Sequence, residues 1–241
     1  MQSILLLAKA EVNRLRRNRR YFIFTLLFPV VLYLAVGRQN AHAYGVDFKA
    51  FYMLAMATLG AFSGALTGNA QRIAQEKKDG WIRQLRLTPL PANGYVVSKI
   101  LVSMVITVPT VAIVLLLGRF YGGVHLPLWQ WLVILVTIWF GTTIFAALAV
   151  AIGYRFPPDQ VQAVAMILYF GFAILGGLWF PIGGVMQKIG ETLPTYAVVK
   201  IGTDVILGAS VAPGLIIGLV IWLAIFVGLA TIAVRSTAET L

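Results

Sequence analysis

Charge is scarce in this sequence. Only 11% of its 241 residues are Asp, Glu, Lys or Arg, against roughly 25% in an ordinary soluble domain, and 60% are hydrophobic. A chain of that composition cannot have water as its only solvent. Cysteine is absent, which excludes disulfides, thiolate zinc sites and a thiol nucleophile. Histidine occurs twice, at His42 and His125, too isolated for a metal pair and each read as a solvated loop residue. The sequence contains no H-E-x-x-H, no G-x-S-x-G and no G-x-x-x-x-G-K-[ST] phosphate loop. The expectation is a chain that is not an enzyme, holds no cofactor of its own and does not hydrolyse ATP.

What is present is a set of long charge-free windows. A membrane span needs about 20 mostly apolar residues to cross about 30 Å of hydrocarbon. Six windows qualify, placing spans at about 21–37, 51–70, 96–118, 128–152, 160–180 and 212–234. The fold class expected is an all-α membrane protein forming a single transmembrane domain over residues 1–241. Acidic and ionisable groups are missing from the middle of these windows, which weighs against an ion-coupled transporter, because coupling ions usually need carboxylates or unwound backbone at mid-membrane.

The 19 basic residues outnumber the eight acidic ones, for a net charge of +11. Lys9, Arg14, Arg16, Arg17, Arg19 and Arg20, then Arg72, Lys77, Lys78, Arg83, Arg86 and Lys99, then Arg155 and Arg235 fall on one side of the alternating spans. Arg38, Lys49, Arg119, Lys188 and Lys200 fall on the other. The positive-inside rule then places both termini in the cytoplasm. Topology accounts for the basic excess, so nucleic acid is not an expected partner. A cleavable leader ending near Ala41-His42-Ala43 is the competing reading of the N-terminus, disfavoured by its long basic region and the spans that follow. Ile4, Leu5, Ala8, Val12 and Leu15 share one helical face opposite Lys9, Asn13, Arg16 and Arg20. This suits either a helix lying among lipid headgroups or a cytoplasmic extension of span one.

The longest polar segment, 71–95, follows span two. Gln71 to Lys78 are good helix formers and Gly80 offers a left-handed stop. Trp81, Ile82 and Leu85 then form the apolar side of a short basic helix that Thr88-Pro89-Leu90-Pro91 terminates. A loop serving topology alone would not require those apolar residues. A second broken segment, 181–207, is apolar but interrupted by Gly183, Gly184 and Pro194. It reads either as a re-entrant stretch shielded by protein or as a surface loop on the bilayer. Gly60, Gly64 and Gly68 recur every four residues in span two, a spacing that permits close helix packing. Pro29 and Pro109 fall inside spans one and three, where they are expected to kink the helices.

The pattern Glu76-x-x-x-Gly80, Leu85-x-x-Thr88-Pro89, then Tyr95 and Lys99 resembles the permease subunit of type-2 ATP-binding-cassette exporters, and the likeness extends over nearly the whole chain. It implies a prokaryotic multi-pass cell-membrane protein working with two copies of a separate soluble ATPase, which binds ATP and Mg, and with a second permease copy or homologue. It implies a coupling helix at Trp81 to Leu87 seated in the ATPase, with Arg72 and Glu76 at its edge. It also implies a re-entrant external gate including Phe180, Pro181 and Pro194. The substrate path is implied to run past Phe22, Phe28, Tyr33, Ser63, Thr67, Gln162, Met166 and Tyr169. The uncharged spans suit a lipophilic or amphipathic substrate such as a drug, antibiotic or lipid. A secondary transporter and a non-transporting structural or sensory subunit are the rival readings.

Overall fold

The computed structural model describes residues 19–37, 39, 42–81, 84 and 92–239. Helix α1 spans Arg19–Val36, α2 Phe48–Lys78, α3 Ala92–Phe120, α4 Leu128–Arg155 and α5 Pro158–Leu175. The short α6 (Gly184–Gly190), α7 (Pro194–Leu207) and α8 (Pro213–Glu239) complete the helices. Among the described residues, α2, α3, α4, α5 and α8 are long and apolar enough to cross a membrane, which accounts for five of the expected spans. The described apolar part of α1, Leu27–Val36, is shorter. The N-terminal interfacial helix expected before it lies outside the described residues.

Helix α2 forms the axis of the bundle. In its most apolar stretch 89% of residues are buried, against 11% for α8, so α2 packs among helices while α8 turns most of its surface outward. The reason is side-chain size: Ala50, Ala55, Ala57, Gly60, Ala61 and Ala65 let neighbours come close. A Cβ on Gly60 would sit 2.8 Å from Thr110 of α3 and 2.9 Å from Pro29 of α1. Gly153 of α4 is pressed against α2, where a Cβ would meet Ile73 Cβ at 2.7 Å and the Ala70 carbonyl at 2.9 Å. Gly202 of α7 and Gly141 of α4 leave room for Leu54 and Val198 in the same way.

Three local features depart from the sequence reading. Gly64–Gly68 is a π-helical turn within α2, so of the three spaced glycines Gly60 marks a close helix approach while the other two bracket the change of helical pitch. The fifth window ends early: α5 stops at Leu175, capped by Gly176 and followed by Gly177 at φ +72°, so residues up to 180 are not helical. Finally, the fold is not wholly helical. His42–Ala43 (β1) and Val46–Asp47 (β2) pair antiparallel across Tyr44 and Gly45, whose φ values of +53° and +82° suit a primed hairpin turn.

Candidate functional site

At the end of the bundle where α2 leaves and α3 enters, Glu76 is 5% exposed and Lys99 2%. The Lys99 ammonium donates to Glu76 Oε1 at 2.9 Å and Oε2 at 2.7 Å. The Tyr95 hydroxyl donates to Oε2 at 2.8 Å, and Lys99 Nζ lies 5.0 Å from the centre of the Tyr95 ring. Tyr154 meets Tyr95 edge-on, and Ile73, Val96, Val150, Ala230 and Val234 close an apolar shell around the group. Water is therefore largely excluded, and the ion pair is held by hydrogen bonds as well as Coulomb attraction.

Glycine and helix chemistry explain how α2 reaches this point. The ten-residue stretch Asn69–Lys78 continues the helix beyond the apolar span and ends where Gly80 adopts φ +76°. Gln71 Nε2 donates to the Pro158 carbonyl at 3.3 Å, and Lys77 donates to the Tyr154 carbonyl, tying α2 to the turn between α4 and α5. Arg72 folds back on its own helix, donating from Nε to the Gly68 carbonyl at 3.2 Å and also to the Asn69 side chain.

The Gln84 N–H donates to the Gly80 carbonyl at 3.2 Å, a helical-turn bond, and Trp81 is exposed beyond the Gly80 turn. Ile82, Leu85, Thr88 and Pro89 lie outside the described residues. Glu76 points inward, toward the residues that open α3.

The expected path residues divide into two groups. Tyr33 is buried against α2, its hydroxyl donating to the Lys49 carbonyl at 3.4 Å and its ring stacked on Tyr52. Thr67 donates to the Ser63 carbonyl at 2.7 Å, the back-bonding expected of a threonine inside a helix. Tyr169 is buried, and its ring lies 5.2 Å from Phe62. Phe28, Gln162 and Met166 instead face outward. Gln162, Met166 and Phe170 are four residues apart and share one face of α5. Trp179 joins this face to α1, its ring 6.0 Å from Phe170 and 5.9 Å from Phe28. The side chain of Phe22 lies outside the described residues.

Over the opposite end of the bundle, Phe180 and Pro181 are exposed, while Pro194 is buried as the first residue of α7. Tyr44, which the sequence did not single out, fixes this segment. Its hydroxyl accepts from the Ile182 N–H at 2.7 Å and donates to the Ile182 carbonyl at 3.2 Å. Burial raises the Tyr44 phenol above its ordinary value; the Ile182 backbone bond opposes that shift and Tyr196 adds to it. Trp222 of α8 donates to the Thr192 carbonyl at 2.7 Å, securing the turn before α7. Asp204 of α7 is also buried and paired with Lys200. The Tyr44 contact spans 138 positions, and its local signal is a Tyr-Gly turn that hydropathy does not detect.

Among the described residues no group of three or more His, Asp or Glu side chains is placed to hold a metal. Residues 38–234 match the family model described as ABC-2 family transporter protein. A Bacillus subtilis (strain 168) protein named "Putative transport permease YvfS" is 28% identical over 198 residues, an alignment covering 78% of each chain.

Proposed function

This chain belongs to the ABC-2 family of transporter proteins and is a membrane permease of that class; from that premise we propose that it carries a lipophilic or amphipathic substrate, a drug, antibiotic or lipid, out of the cytoplasm. Two copies of a separate ATP-binding-cassette ATPase, which binds ATP and Mg, drive a pair of permeases. Helix α1 is the first of six spans in this reading, both termini are cytoplasmic, and residues 79–94 face the cytosol.

The observation that carries the proposal is the Glu76–Lys99–Tyr95 cluster. It joins the two helices flanking the connection on which Trp81 stands exposed. A loop anchored in this way transmits a push from the ATPase to α2 and α3 together, because a buried, hydrogen-bonded ion pair resists separation. Arg72 and Gly80 shape the approach to the connection, and Ile82, Leu85, Thr88 and Pro89 complete the docking element. The substrate class is supported by the face that Phe28, Met166 and Phe170 present, with Gln162 as its polar member. Phe180, Pro181 and Pro194 belong to the external gate, whose movement opens the far side.

Coexpression with a separate ATP-binding-cassette ATPase from the same genome tests this reading. The expected outcome is copurification and ATP hydrolysis in lipid that rises with a lipophilic substrate. Transport driven by a proton or sodium gradient without ATP would overturn it in favour of a secondary transporter. Copurification with no stimulation by any lipid or drug would instead support a sensory subunit.

A further inference from the structure

At the end of the bundle away from Glu76, the last turns of α3 and the first turns of α4 border an open groove of about 560 Å³. This lies within the roughly 300–1,000 Å³ range of small-molecule sites. Leu115 and Leu116 line it from α3, and Trp131, Leu132 and Leu135 from α4. The spacing places these side chains on the facing stripes of the two helices. Leu115 is buried at the floor, whereas Leu116 and Leu132 are 54% and 55% exposed, so the groove opens sideways on the surface of the bundle. The Trp131 indole is already engaged, donating to the Leu126 carbonyl at 3.1 Å, and stiffens one wall.

One charged residue, Arg119, lines this groove. It is exposed in the last turn of α3. Among the described residues the carboxylates that form ion pairs are Glu76 with Lys99 and Asp204 with Lys200, so neither covers Arg119. A guanidinium offers a fork of donors that fits a phosphate. The first turn of α4 lies at the same mouth, and a helix start adds potential of the same sign.

We propose that this groove holds one anionic phospholipid, an acyl chain lying along the leucines between α3 and α4 and its phosphate on Arg119. The occupant follows from the combination of features. An apolar trough opening sideways from a membrane-spanning bundle meets acyl chains, and an uncovered cation at its rim selects a net negative headgroup over a zwitterionic one. Snorkelling of Arg119 to water, the competing account, gives no such selection.

The test is native mass spectrometry of the full chain released from bilayers of equimolar phosphatidylglycerol and phosphatidylcholine with matched chains. Wild type is expected to retain phosphatidylglycerol over phosphatidylcholine by roughly tenfold, the scale of one charge-assisted contact. Arg119→Gln is expected to remove most of that preference while thermal stability stays unchanged. Leu132→Trp, which fills the groove, is expected to reduce retention of both lipids. Anionic lipid held elsewhere cancels in the comparison with Arg119→Gln. Equal retention of the two lipids by wild type, or an undiminished preference in Arg119→Gln, overturns the proposal, and so does full retention in a folded Leu132→Trp. Should Leu132→Trp not fold, the exposed Arg119 position still decides.

Discussion

Both carboxylate oxygens of Glu76 accept from the Lys99 ammonium, and this pairing closes the 23-residue interval that contains the connection between α2 and α3. The two residues are almost fully buried, so neither is merely a surface charge marking topology. Removing one partner strands the other charge in an apolar shell, at a cost of about 3–5 kcal/mol. Glu76→Ala is therefore expected to lower the melting temperature sharply and to abolish substrate-stimulated ATP hydrolysis. The double variant Glu76→Gln with Lys99→Met, which leaves no orphan charge, recovers most of the stability by fluorescence-detected melting but not the coupling. If Glu76→Ala melts like wild type, the pair does not hold these helices together.

Trp81 stands exposed beyond the Gly80 turn. Its truncation leaves the bundle's packing intact, and a surface change of this kind costs within about 0.5 kcal/mol. Trp81→Ala is expected to insert and melt as wild type while losing copurification of the ATPase, and Leu85→Asp to behave likewise. Pull-down from detergent extracts reads the result, and undiminished ATPase binding in both variants removes the docking role.

Tyr44 satisfies both backbone groups of Ile182 with a single hydroxyl. Tyr44→Phe is expected to cost about 1–3 kcal/mol locally, because the Ile182 N–H loses its partner. Hydrogen exchange at Ile182 then accelerates while exchange in α2 does not change. The sign of the pH effect follows from the raised phenol. The folded state keeps its proton after the unfolded chain begins to lose it near pH 10.0, so the stabilisation is complete below that pH and disappears as pH rises through the raised value. The alkaline loss is smaller in Tyr44→Phe.

Glycine substitutions separate packed faces from open ones. At Gly153 a methyl group meets Ile73 and the Ala70 backbone of α2, whereas at Gly218 of α8 nothing lies within 4 Å. Gly153→Ala is expected to destabilise by about 1–3 kcal/mol. Gly218→Ala is neutral or slightly stabilising, since alanine favours helix over glycine by roughly 0.5–1 kcal/mol. Thermal melting of the two variants side by side measures the difference.

Hydropathy located the long apolar helices because the requirement to span hydrocarbon is written locally, as a run without charge. It extended α5 too far for the same reason. Leu178, Trp179 and Phe180 are apolar, but Gly176 and Gly177 had already turned the chain. The π turn at Gly64–Gly68 carries no hydropathy signal, since it changes pitch rather than polarity. Of the candidate site, Glu76, Gly80, Trp81, Tyr95 and Lys99 were all visible as a pattern, but the direction in which Glu76 points was not.

Composition and charge order alone thus determined that the chain is a helical membrane protein without a phosphate loop, and the spacing around Glu76 and Gly80 showed its likeness to cassette permeases. Tertiary structure alone decided which charges are structural: Lys99, which a charge count reads as topology, becomes the buried partner of Glu76 when α2 and α3 pack. It also brought Tyr44 to Ile182 and left Arg119 at the mouth of a groove. The physical reason is range. Burial in a bilayer is a property of one segment, whereas pairing, clearance and cavities depend on two segments meeting, and the pairing of faces is settled only by packing.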